Sequence, residues 1–332
     1  MRFARFAAAA AAALLLAAPL AAQTGDPLKV IVFPGTGAWT FYVGVEKGLF
    51  ARAGAPVEIH NTPSSVFQLT NLHAGKFDIG ITLMDNVIAY KEGQGEVKLD
   101  PPPDFFAFLA VNNNHIVLVT VPEVKSFADL KGRELSVDAL TTGNSFTLME
   151  MLRRGGLAPG DYKLVSVGGT PQRAQALEEK KQAGTVLSPP FDLALIAKGF
   201  NQLSGSTEAV GRFEGIVASA RRSWASANQA RVVGFTRATA ESVDWLLDKA
   251  NRDEAVAILR KYLPQTPAAA AERSFDLMAD PVRGLKRPIA IDLEAVRNVM
   301  AVRARYAEPR KELTDPARYI DASYFQRAMM RN

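Results

Sequence analysis

The 332-residue chain contains no cysteine and only three histidines. Without cysteine, the chain cannot form disulfides, a thiol-linked lipid anchor or cysteine-ligated metal sites. The histidines, His60, His73 and His115, lack the spacing of metal ligands, and no glycine–lysine phosphate loop of the Walker A type is present. We therefore expect no cofactor, no metal and no nucleotide hydrolysis by the chain itself.

Long hydrophobic runs are also missing after residue 22, so the sequence predicts no membrane-spanning helix in the mature protein. The one extended apolar segment, residues 6–20, follows Arg2 and Arg5 and precedes the small pair Ala21-Ala22. A short basic region, an apolar run and small residues, in that order, are typical of a secretory signal peptide. We expect residues 1–22 to be a cleaved signal peptide and the mature protein to be periplasmic.

Charge of one sign is not concentrated anywhere in the chain. The formal net charge of +5 falls by two when Arg2 and Arg5 leave with the signal peptide. The lysines and arginines are scattered and are not interleaved with aromatic residues, so nucleic-acid binding is not expected.

The mature chain alternates between short β-branched runs and amphipathic segments. Strands are predicted at 28–33, 57–60, 77–83, 105–111 and 116–121, and the alternation restarts at 134–138, 162–167 and 185–187. Such alternation predicts an α/β fold with parallel strands and helices on both faces. From about residue 228 the pattern is helical. We expect two lobes, with 23–112 and 226–332 forming lobe I and 113–225 forming lobe II.

Small polar residues follow the predicted strands at the starts of helices. Ligands bind at the carboxyl ends of strands in open α/β sheets, and free helix-start N–H groups favour anionic or accepting groups. For any single position simple helix capping is the favoured explanation, whereas the pattern in both halves of the chain together favours ligand binding. The candidate ligand-binding residues are Thr36, Gly37, Trp39, Phe41, Ser64, Ser65, Asp85, Asn86, Asn114, His115, Thr142, Asn144, Ser145, Pro190 and Phe191.

Two of these candidates have specific reasons and open alternatives. Trp39 could stack on a planar ligand or lie in the core, and His115 stands at the expected crossover between lobes. An incomplete dinucleotide fingerprint at 35–40 has Thr40 in place of the third glycine. A nucleophile-elbow-like run at 143–147 lacks its final glycine, which favours Ser145 as a helix cap.

Several segments taken together resemble the family of ABC-transporter solute-binding proteins for sulfonates, nitrate, taurine and thiamine precursors. The matching runs are GTGAWTFYV at 35–43, EKGLF at 46–50, AGKFDIG at 74–80, DLKG at 129–132 with LSV at 135–137, TPQR at 170–173, SPPFD at 188–192 and RSWA at 222–225. The resemblance covers about residues 28–262. The segment 178–185 departs from it, because it lacks the glycine-x-x-aspartate usual at the second turn.

The resemblance implies a two-lobed periplasmic-binding-protein type II fold with a helical C-terminal tail. It also implies a monomer that binds a small organic anion or a planar heterocycle by hinge closure, and that delivers it to an inner-membrane permease. The alternative is an enzyme similar to the fungal thiamine-pyrimidine synthases, which share this fold. Those enzymes carry a cysteine-rich motif and act inside cells, and this chain departs from them on both counts.

Overall fold

The computed structural model describes residues 25–330, so the expected signal peptide lies outside the described part of the chain. The strands of this part are β1 (Leu28–Val32), β2 (Val57–Asn61), β3 (Ile79–Leu83), β4 (Phe105–Asn112), β5 (Val117–Thr120), β6 (Glu134–Val137), β7 (Lys163–Ser166), β8 (Gly184–Leu187), β9 (Asn201–Gly205) and β10 (Ile216–Arg221).

The helices connect these strands and then fill the C-terminal third. They are α1 (Trp39–Glu46), α2 (Leu49–Arg52), α3 (Ser65–His73), α4 (Met84–Lys91), α5 (Gly143–Arg154), α6 (Thr170–Glu178), α7 (Phe191–Ala197), α8 (Ser206–Val210), α9 (Arg222–Ala227), α10 (Gln229–Leu247), α11 (Arg252–Tyr262), α12 (Ala268–Met278), α13 (Leu293–Tyr306) and α14 (Ser323–Met329). Between residues 25 and 330, none of them combines the length and apolarity that a bilayer-crossing helix requires.

The strands form two five-stranded sheets, with the orders β2-β1-β3-β10-β4 and β7-β6-β8-β5-β9. In the first sheet β1 is parallel to β2 and β3, whereas β10 is antiparallel to β3 and β4. In the second, β6 is parallel to β7 and β8, and β5 is antiparallel to β8 and β9. The expectation of parallel strands alone was wrong, because β5 and β10 enter their sheets from the other lobe and not through a local strand–helix–strand crossover.

The chain passes between the two sheets twice. Residues 113–116 join β4 to β5, and residues 206–215 join β9 to β10. The strand β10 belongs to the first sheet, although the expected boundary at 225 placed it in the second lobe. β9 and β10 were not predicted as strands. Below, lobe I denotes the first sheet with the elements packed on it, and lobe II denotes the second sheet with its helices.

Local sequence signals place the helices around the first sheet. Gly48 adopts φ +64° and ends α1, as its position predicts. Ser64 caps α3 by accepting from the Phe67 N–H. Gln68 is fully buried, and its Nε2 donates to the carbonyls of Ile31 and Ile81, which ties α3 to β1 and β3.

Candidate functional site

The strand ends of the two lobes face each other across one cleft. The loops after β1, β2 and β3 in lobe I meet the loops after β6, β7 and β8 in lobe II. The Thr36 N–H and hydroxyl both donate to the carbonyl of Pro189, at 3.2 and 3.0 Å. The Gly169 N–H donates to the carbonyl of Pro63 at 2.8 Å. These bonds hold the two lobes in direct contact.

A carboxylate of lobe II occupies the start of a lobe I helix. The Ser65 N–H, in the first turn of α3, lies 3.3 and 3.1 Å from Oδ1 and Oδ2 of Asp138. Asp138 directly follows β6 and is almost fully buried. Helix-start N–H groups favour negative charge, and the Asp138 carboxylate supplies that charge to the Ser65 N–H. The sequence analysis had instead expected Ser65 to contact a ligand.

The cleft encloses a cavity of about 60 Å³ between the lobes. An engineered apolar cavity that holds benzene measures about 150 Å³, so this space admits little more than a few water molecules. The cavity is lined by Phe33, Pro34, Gly35, Gly37, Ile81, Thr82, Leu83, Asn86, Asn114, Ile116, Asp138, Thr142, Asn144, Thr170, Arg173, Ser188 and Ile216.

Among the predicted site residues, the structure brings Gly37, Asn86, Asn114, Thr142 and Asn144 to this cavity. Asn114 Nδ2 donates to Asn144 Oδ1 at 2.7 Å, and Asn86 Nδ2 donates to a hydroxyl on β3 at 3.0 Å. Thr142 is the N-cap of α5 and accepts from the N–H three residues later. Amide and hydroxyl groups of this kind both donate and accept hydrogen bonds, which suits polar ligands.

The cleft also contains Arg173, which the sequence analysis did not select. Arg173 lies in the second turn of α6 and is 2% exposed. Its guanidinium donates to the carbonyls of Gly168 and Val186, at 3.1 Å each, and to the Thr170 hydroxyl at 3.3 Å. Its Nε–H has no partner in the described residues. Burial lowers the pKa of Arg173, while the charge of Asp138 opposes this effect.

The two aromatic candidates of the first loop do not reach the cleft. Trp39 is fully buried, its Nε1–H donates to the carbonyl of Ala255 at 3.0 Å, and its ring meets Phe275 edge-on. Phe41 stacks on Phe50 and Phe235 in the same core. Neither ring lines the cavity, so Phe41 does not lie where expected, and Trp39 takes the core position that the sequence left open.

Asp85 is engaged by a cation from the C-terminal tail. Arg303 Nε and Nη2 donate to Asp85 Oδ1 and Oδ2, at 2.8 and 2.6 Å, and both side chains are at most 2% exposed. Nη2 also donates to the carbonyl of Thr141 in lobe II at 2.7 Å. Asp85 is therefore an ion-pair partner and does not line the cavity, contrary to expectation.

The remaining candidates lie beside the cavity. Ser64 caps α3, and Ser145 is fully buried, with its hydroxyl unpartnered in the described residues. His115 is half-buried near Arg283, on the hinge side, and burial lowers its pKa. Pro190 and Phe191 line a separate groove of about 490 Å³ at the outer edge of the lobe contact. Within residues 25–330 no cluster of three or more histidines or carboxylates has the arrangement of a metal site.

Comparison with known proteins identifies the family to which the chain belongs. Residues 21–260 match the family model described as the NMT1-like family. No curated protein matches the chain.

Solved structures share the two-lobed architecture. A protein from Bordetella bronchiseptica RB50 has a TM-score of 0.77 and 19% identity, over 92% of this chain and 97% of its own. The zinc-bound ligand-binding component of an ABC-type import system from Staphylococcus aureus has a TM-score of 0.72 and 14% identity, over 91% and 99%. The alkanesulfonate-binding protein SsuA from Xanthomonas axonopodis pv. citri, bound to MOPS, has a TM-score of 0.66 and 15% identity, over 83% and 90%.

These likenesses establish the fold. The described chain has the α/β periplasmic-binding-protein fold with C-terminal helices, as the sequence predicts.

Proposed function

Because the chain belongs to the NMT1-like family, we propose that it is the substrate-binding component of an ABC importer. In this role it is exported to the periplasm, captures one small organic solute as a monomer and delivers it to an inner-membrane permease. The enzyme alternative has no supporting observation, so binding without chemical conversion is the function that we propose.

The observation that carries the proposal is the contact between the strand-end loops of two lobes that the described part of the chain joins by two crossings. Asn86, Thr142 and Asn144 line the cavity from opposite sides of the cleft. A cavity of about 60 Å³ does not admit a solute of six or more heavy atoms, so entry requires the lobes to separate. We assign this motion to hinge bending at 113–116 and 206–215.

A thermal-shift screen of the mature protein tests the binding function. The panel contains sulfonates, carboxylates, nitrate, pyrimidines and flavins. A ligand at about 100 times its dissociation constant adds about 2.7 kcal/mol to the free energy of unfolding, which raises the midpoint visibly. We expect one chemical class to do so and to be recovered unchanged. Conversion of a compound to product would replace this proposal with the enzyme function.

A substitution at Gly143 tests lobe closure separately from ligand binding. A Cβ at Gly143 in lobe II would lie 2.6 Å from Cβ of Asp85 in lobe I, whose side chain the ion pair with Arg303 fixes. We expect Gly143→Ala to keep both lobes folded but to hold them apart, giving a larger radius of gyration in solution scattering and weaker ligand binding.

The matched control is Gly205→Ala, because a Cβ there meets only Val117 at an ordinary 3.9 Å. If Gly143→Ala matched the wild type in both scattering and affinity, closure at this contact would be refuted.

A further inference from the structure

We propose that the solute held in this cleft carries no net charge and presents a hydrogen-bond acceptor to Arg173 and a donor to Asp138. A zwitterion and an uncharged planar amide both meet this description, whereas a simple organic anion does not. The inference rests on the proposed binding function and assigns its ligand class.

The Arg173 side chain provides a buried donor. Three of its N–H groups are used within lobe II, by the carbonyls of Gly168 and Val186 and by the hydroxyl of Thr170. Its Nε–H is buried and has no partner within residues 25–330, although the side chain lines the cavity. An unsatisfied buried donor on a cation is costly, so a ligand acceptor at this position would be strongly favoured.

Asp138 provides the matching acceptor. Its carboxylate lines the same cavity, and among the residues that the structure describes only the Ser65 N–H donates to it. A carboxylate has about four lone-pair sites, so most of its accepting capacity remains for a donor on the ligand. Arg173 and Asp138 are not hydrogen-bonded to each other in the described residues, and a ligand can therefore contact both.

The charges of the cleft already balance. Arg173 and Asp138 contribute one charge of each sign, and the nearby Asp85 is neutralised by Arg303. A net anion enclosed here would leave one negative charge uncompensated in a poorly solvated space. A net-neutral ligand leaves the balance intact.

Three of the backbone donors that would otherwise favour an anion are occupied. The N–H groups of Thr36, Ser65 and Gly169 all lie at helix starts, and each donates to an acceptor of the opposite lobe. In the case of Ser65 that acceptor is the carboxylate of Asp138, so the negative charge which the start of α3 attracts comes from the protein itself.

The test compares dissociation constants, measured by calorimetry on the mature protein, within pairs of compounds of similar shape in which one member is net-neutral and the other is an anion. The pairs are uracil with orotate, nicotinamide with nicotinate, and β-alanine with propionate, together with any compound identified by the thermal-shift screen. We expect every binder to be net-neutral and to bind at least about tenfold more tightly than its anionic partner, since an unpaired buried charge discriminates strongly.

Tighter binding of the anionic member would overturn the inference and leave the solute-binding function standing. If no compound of either charge bound, the solute-binding function would fail and the inference would fall with it.

A charge-removing variant provides an independent readout. Asp138→Asn leaves the cleft with a net positive charge while retaining an acceptor for the Ser65 N–H, so we expect the neutral-over-anion preference to fall at least about tenfold. Asp253→Asn makes the same chemical change at an exposed position on α11 and should leave the preference unchanged. An unaltered preference in folded Asp138→Asn protein, verified by circular dichroism, would contradict the role given to this carboxylate.

Discussion

The buried ion pair between Arg303 and Asp85 offers the largest single-residue perturbation. Arg303→Met keeps the length and apolar bulk of the side chain but leaves the Asp85 carboxylate, 2% exposed, without its counter-charge. Removing one partner of a buried pair costs about 3–5 kcal/mol, because the remaining charge stays desolvated. The loss of the 2.7 Å bond to the Thr141 carbonyl leaves a further polar atom unpaired.

Guanidinium denaturation followed by tryptophan fluorescence measures this change in the free energy of unfolding. We expect the double variant Arg303→Met/Asp85→Asn to recover part of the lost stability, because it removes the uncompensated charge. Arg305→Met is the control on the same helix: its side chain is 58% exposed and pairs with Glu150. Glu150 keeps its bonds to Arg153, Arg154 and Tyr306 when Arg305 is replaced, so we expect this control to cost at most about 1 kcal/mol.

The reasoning would be refuted if Arg303→Met cost no more than Arg305→Met. It would also be refuted if adding Asp85→Asn lowered stability further.

Two further predictions follow from buried groups. Trp39→Ala removes a fully buried ring and its hydrogen bond to the Ala255 carbonyl. We expect it to lower the free energy of unfolding in denaturant by about 3–5 kcal/mol. A loss of ligand affinity without a loss of stability would instead place Trp39 in the cleft. Burial raises the pKa of Asp192 to about 7, so the folded state binds a proton more tightly than the unfolded state. The free energy of unfolding should therefore fall as pH rises from about 4 to 7, by at most about 4 kcal/mol. Asp192→Asn should reduce this pH dependence when unfolding is measured at several pH values. An unchanged pH dependence would exclude Asp192 as its source.

Much of the fold and part of the cleft could be predicted from local sequence. Short β-branched runs placed eight of the ten strands of the described chain. The rule that ligands meet the carboxyl ends of strands selected Asn86, Thr142 and Asn144, and the structure places all three at one cavity. The missed strands β9 and β10 have weak alternation, and β10 joins its sheet only after the chain has crossed from the other lobe.

The errors in the site have a common cause, because strand-end position does not determine the direction of a side chain. Trp39 is the first residue of α1, at the expected end of β1, yet its ring is fully buried in the core of lobe I. Asp85 lies in the first turn of α4, at the expected end of β3, but Arg303 from the tail binds it. Arg173 lies in the second turn of α6, beyond the strand-end positions that the rule selects. Its long side chain nevertheless lines the cavity.

The sequence alone determined the absence of thiol chemistry, the α/β alternation and the family, because these depend on residue types and on neighbours close in the chain. Tertiary structure alone decided which charges are free and which are paired. Arg303 and Asp85 lie 218 positions apart, and Asp138 meets the helix-start amide of Ser65 from the opposite lobe. Electrostatic interactions depend on distance in space and on exclusion of water, and both are set only when the two lobes pack against each other.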